Sequence, residues 1–208
     1  MDAEPADKEP MMREILPAMI AVLALCGEAW AQGAGEAAAS GQPPYEVVAP
    51  PACVNDKGEP VRFEDRDGGR ADLAAGMAAR DGDGEPVVYR SNYSATPPDF
   101  QRFIDFHECA HHQTGDVDRP HPPRNGPEHL MNESISDCVA ILRLRDEEGY
   151  GRAGFERVAA AMRADMERIG FPEISVSSRI ANIETCFARD GSAEDFIEVV
   201  RERRGEGK

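Results

Sequence analysis

The sequence predicts an α+β fold, a small N-terminal antiparallel sheet packed on a helical bundle, within one domain over residues 52–208. Three observations lead there. A chain of 208 residues with 41% hydrophobic and 30% charged residues suits one globular domain. Between Cys53 and Tyr93, short apolar pieces are cut by turn residues. Beyond Pro97-Pro98, apolar residues recur at helical spacing almost to the last residue.

The elements follow in chain order. Ile15 to Cys26 is an apolar run of 12 residues, the length of a secretory h-region and short of the ~18 needed to span a bilayer. Ala29-Trp30-Ala31 supplies an A-x-A cleavage pattern, so residues 1–31 are expected to be a signal peptide. Asp2, Glu4, Asp7 and Glu9 conflict with a basic n-region, a conflict that a start at Met11 or Met12 removes. Residues 32–51, rich in Gly, Ala, Pro and Ser, read as a flexible linker. Val61-Arg62-Phe63 predicts a strand. Met77–Arg80 and Pro86–Arg90 predict the arms of a hairpin around Asp81-Gly82-Asp83-Gly84-Glu85. That loop lacks the full ligand series of a calcium loop and reads as a plain turn. Helices are predicted over 99–114, 128–148, 154–169, 177–189 and 193–204. The four prolines and one glycine of Asp116–Pro127 make a connector between the first two.

Charge and cysteines narrow the function. The chain has 23 Lys+Arg against 39 Asp+Glu, a net charge of −16. Residues 1–31 hold 2 of the basic and 6 of the acidic residues, so the remainder keeps −12. Such a surface excludes a nucleic-acid binder and docking on an anionic membrane. Cys53, Cys109, Cys138 and Cys186 lie beyond the cleavage pattern, an even number that predicts two disulfides and a periplasmic or secreted location. Four cysteines allow three connectivities. Cys138 and Cys186 fall on helices able to pack together, which favours that pair and leaves Cys53 with Cys109. No C-x-x-C spacing suggests a thiolate metal site.

The chemistry concentrates in His107-Glu108-Cys109-Ala110-His111, an H-E-x-x-H motif. On a helix, residues four apart are rotated about 400°, only about 40° off one face, and are about 6 Å apart along the axis. Two imidazoles can then reach one zinc ion. Glu108 can take a proton from the zinc-bound water and pass it to a leaving amine. Cys109 is rotated about 200° from His107 and should face the core. A catalytic zinc usually has a third protein ligand. Glu133 and Asp137, in Glu133-Ser134-Ile135-Ser136-Asp137, share one face of the next predicted helix, so one can bind metal while the other orients a histidine. His112, about 100° from His111, should be exposed or support a ligand. His121 and His129 flank the connector, where either could contact a reacting carbonyl or replace Glu133 as ligand.

This combination resembles the gluzincin-type zinc metallopeptidases, in which H-E-x-x-H is followed by a glutamate on the next helix, often as E-x-x-x-D. The wider pattern His107–His112, Ser136-Asp137-Cys138 and Arg179-Ile180-Ala181-Asn182-Ile183 ahead of Cys186 is similar to a group of small exported bacterial metallopeptidases. The similarity covers roughly residues 84–190. It implies a zincin-like domain in which Glu133 is the third zinc ligand, Asp137 supports a histidine, and Pro86–Arg90 is an edge strand that pairs with extended substrate. The metzincin pattern does not apply, because Thr114 and Val117 stand where it requires Gly and a ligand.

The expected function is thus an exported zinc metallopeptidase acting on a peptide or protein substrate. The alternatives are a non-catalytic zinc-stabilised binding or scaffold protein, and a zinc amidase acting on cell-wall material. Substrate specificity and oligomeric state are not encoded in any motif.

Overall fold

The computed structural model describes residues 44–205. The expected signal peptide and cleavage pattern, residues 1–31, and residues 32–43 of the expected linker lie outside them. Three strands, β1 (Arg62–Asp65), β2 (Ala75–Arg80) and β3 (Pro86–Ser91), precede five α-helices. These are α1 (Pro98–Gln113), α2 (Pro127–Asp146), α3 (Arg152–Ile169), α4 (Glu173–Ala188) and α5 (Ala193–Arg203). The fold is α+β, as the alternation of patterns predicts. Among the described residues, no helix is long and apolar enough to cross a membrane.

The sheet differs from the expectation of a purely antiparallel one. Its order is β1-β3-β2, with β2 antiparallel to β3 and β1 parallel to it. The cause is the connection over residues 66–74. It carries the chain past the β3 position, so β3 returns between the first two strands. β3, expected at the edge, is therefore central, and Pro86 to Arg90 are all buried. The hairpin turn is held locally. Asp81 Oδ1 accepts the amides of Asp83 and Glu85 at 2.9 Å each, and Gly84 supplies the left-handed φ of 86°. Asp81 Oδ2 pairs with Arg62 at 2.5 Å, so this loop is a turn pinned to β1.

Pro98 at the first turn starts α1, and Gly115, at φ 72°, carries the chain out of it. The connector returns the chain to start α2 at Pro127. Phe103, Phe106 and Ala110 of α1 meet Val139, Ile141, Leu142 and Leu144 of α2. Val158 and Met162 of α3, Val176 and Ile183 of α4, and Ala193 and Ile197 of α5 join this core. A second cluster, Cys53, Val61, Val88 and Cys109, lies between the sheet and α1. Helix α1 is thus covered on two sides, by sheet and by bundle, and this explains its burial.

The disulfides are Cys53–Cys109 and Cys138–Cys186, the favoured pairing. They fit an oxidising environment. Cys109 is fully buried and points away from the ligand face, as expected from its rotation. The second bond joins α2 to α4. Replacing Cys138 and Cys186 together by Ala should destabilise the protein by about 2–5 kcal/mol in denaturant unfolding. No change in stability would mean that the bond is absent from the native protein.

The packed domain begins before residue 52. The Tyr45 amide donates to Ser94 O, Val48 N–H to Gln101 Oε1, and Arg90 Nη2 to Val48 O. The last part of the segment read as linker is therefore held against β3 and α1.

Candidate metal centre

Helix periodicity brings His107 and His111 together as predicted. Their Nε2 atoms approach to 3.2 Å. Glu133, on the adjacent α2, presents Oε2 at 3.5 Å from His107 Nε2 and Oε1 at 3.6 Å from His111 Nε2. One ligand atom from each of the three lies within 4.8 Å of the others, a group that could hold a metal ion. Two imidazole nitrogens and one carboxylate are a donor set typical of catalytic sites with an open position.

Each histidine is held through its other nitrogen. His107 Nδ1 lies 2.9 Å from Asp137 Oδ1, while Glu133 is the member of E-x-x-x-D in the group of three. His111 Nδ1 lies 3.2 Å from both Asp116 Oδ2 and Ser136 Oγ. Acceptors at Nδ1 orient each ring so that Nε2 is the nitrogen presented to a cation.

Arg179 of α4, quoted above only as part of a similarity, supports the first relay. Its Nε and Nη2 donate to Asp137 at 2.6 and 2.7 Å, and Nη2 stands 3.9 Å from Glu133 Oε2. Burial alone would raise the Asp137 carboxyl, but Arg179 and His107 hold it below the usual carboxylate range. Glu133 is also lowered, with burial outweighed by His107, His111 and Arg179. Burial opposes a charge on His107, yet Asp137 and Glu133 raise its pKa to about 10. The pocket thus favours positive charge where the three ligand atoms meet, and a metal ion could supply it in place of the proton.

Glu108 follows His107 and is half-buried against β2. Its Oε2 accepts the Ala78 amide at 2.8 Å, so this bond sets the carboxylate at the free edge of the sheet. The contact depends on Gly76. A Cβ there would lie 2.4 Å from Glu108 Cγ and 2.8 Å from Ile104 Cγ2. Edge strand β2, rather than the central β3, therefore lines the Glu108 side of the motif helix. We expect Gly76→Ala to retain metal but cost about 1–3 kcal/mol in stability through overpacking. Any activity that uses Glu108 should drop by roughly 10²-fold, the cost of about 1 Å of misplacement. Wild-type values in thermal unfolding and turnover would contradict this contact.

The remaining histidines divide differently from expectation. His112 neither is exposed nor supports a ligand. It is 2% exposed and its Nε2 lies 3.0 Å from Val87 O, joining α1 to β3. Burial lowers its pKa. The neutral ring, its Nε2–H donated to that carbonyl, is a core group, a consequence of the sheet covering this side of α1. His121 is exposed in the connector. His129 sits one turn before Glu133, with a buried Nδ1 that has no hydrogen-bond partner. Neither belongs to the group of three.

Comparison with protein-family models, with curated proteins and with solved structures returns no match.

Proposed function

We propose that the protein is an exported zinc metallopeptidase of the gluzincin type. The observation that carries the reading is the convergence of His107, His111 and Glu133, with the carboxylate of Glu108 directly beside the first histidine. His107, His111 and Glu133 would hold the ion. Two imidazoles and a carboxylate suit zinc. When bound, zinc supplies Lewis-acid polarisation of a carbonyl and a water of lowered pKa.

The protein residues supply the rest. Glu108 accepts a proton from the attacking water and delivers it to the nitrogen of the breaking C–N bond. The Ala78 N–H orients that carboxylate during both transfers. Asp137 and Asp116 keep the two imidazoles in the ligating tautomer. Apart from the Ala78 N–H that Glu108 holds, the outer edge of β2 offers backbone groups to an extended peptide, which would add as a further strand. A structural zinc site would be closed by a fourth protein ligand and would have no use for Glu108. The presence of Glu108 therefore favours hydrolysis over a zinc-stabilised scaffold.

The test is incubation of the purified protein with a random peptide library, with and without a chelator. Cleavage that the chelator stops and zinc restores supports the proposal. Metal-loaded protein that cleaves cell-wall amides and no peptide would favour the amidase instead. Cleavage of neither class would favour a binding role.

A further inference from the structure

The second histidine relay reaches a residue near the far end of the chain. Asp116, 9% exposed, accepts from His111 through Oδ2 and from the Thr114 hydroxyl at 3.0 Å. Its other oxygen, Oδ1, accepts from Arg204 Nη1 at 2.5 Å. Arg204 lies at the C-terminal cap of α5, 88 residues away in sequence. The same Nη1 donates to Thr114 O at 2.8 Å, and Nη2 donates to Asn132 Oδ1 at 2.7 Å. Asn132 immediately precedes Glu133. One largely buried guanidinium therefore sits astride two chain segments, the end of α1 that carries His111 and the turn of α2 that carries Glu133.

From this arrangement we infer that Arg204 and Asp116 are positioning residues for the metal centre, and that the last helix of the chain is part of it. The inference rests on the metal site proposed above but needs no peptidase activity. The Arg204 guanidinium and the Thr114 hydroxyl both donate to the Asp116 carboxylate, which can only accept, so it binds His111 with the proton on Nδ1 and a lone pair on Nε2. The planar fork of Arg204 couples that histidine to the position of Glu133, which a lysine, with its single point of charge, cannot reproduce. Ser136 Oγ provides a second acceptor for His111 Nδ1, so loss of Asp116 should weaken the site without abolishing it.

The experiment measures zinc affinity by competition with a chelator, and records the visible spectrum of the Co²⁺-substituted protein. It uses the full chain and the variants Asp116→Asn, Arg204→Ala and Arg204→Lys. Arg145→Ala is the control. Arg145 ties α2 to the carbonyls of Phe187, Arg189 and Gly191 and touches none of the site residues, so its loss should lower stability alone. Asp116→Asn and Arg204→Ala are expected to weaken zinc binding about 10–100-fold and to alter the Co²⁺ spectrum. Arg204→Lys should weaken it less, and Arg145→Ala should leave both readouts unchanged. Should Arg204→Ala fail to fold, the other two variants decide. Wild-type zinc affinity and Co²⁺ spectrum in those variants would overturn the inference and leave the peptidase proposal standing. A wild-type chain that binds no zinc would overturn both.

Discussion

Glu108→Gln is expected to keep the metal and lose peptide hydrolysis. Glutamine has nearly the shape of glutamate but cannot accept a proton at neutral pH. The amide oxygen can still receive the Ala78 N–H, so the contact of α1 with β2 survives. His107, His111 and Glu133 are untouched, and zinc content should equal that of the wild type. The rate should fall by about 10²–10⁴-fold, the range of general acid–base catalysis by one positioned group. Turnover of any peptide cleaved by the wild type checks this, with zinc measured on the same samples. Full activity in the variant would remove Glu108 from the mechanism. Lost activity together with lost zinc would mean that the residue maintains the site and leaves its chemical role open to another group.

The second large effect separates the two carboxylates of α2. Glu133→Ala should abolish stoichiometric zinc binding, because only two protein ligands remain. Asp137→Asn removes the carboxylate from His107 Nδ1 but leaves all three donor atoms, so affinity should fall about 10–100-fold with some activity kept. The variant also leaves Arg179, now without its ionised partner, 3.9 Å from Glu133, where it can compete with the ion for that carboxylate. Zinc titration of both variants distinguishes them. If Asp137→Asn loses the metal and Glu133→Ala keeps it, the two assignments are exchanged.

Local features of this architecture were legible in the sequence, and features set by distant contacts were not. His107 and His111 face one way because helical rotation requires it. Cys109 faces the core for the same reason. Glu133 and Asp137 were legible as a pair because they share a face on a helix reached by a short, proline-rich connector. The sequence left their division of labour to resemblance, and the geometry now places Asp137 against His107 Nδ1. His112 was misread because its rotation excludes the ligand face without telling which of two neighbours covers it. The sheet does so, through Val87. The parallel pairing of β1 with β3 depends on how residues 66–74 cross, which apolar alternation does not encode. Gly76 carried no signal as one of 19 glycines, and its meaning is the 2.4 Å a Cβ would leave to Glu108. Arg179 and Arg204 are two of 23 basic residues, and their partners lie 42 and 88 positions away. What could have drawn attention to Asp116 is its place directly after the motif helix, within reach of the second histidine.

The most direct test of the metal site is X-ray absorption at the zinc edge on protein purified without added metal and then loaded with one equivalent of zinc. The expected result is a four-coordinate ion with two imidazole nitrogens and two oxygens, all at about 2.0–2.2 Å, one oxygen from Glu133 and one from solvent. A sulfur scatterer at about 2.3 Å, a site closed by four protein ligands, or no uptake of zinc would contradict it.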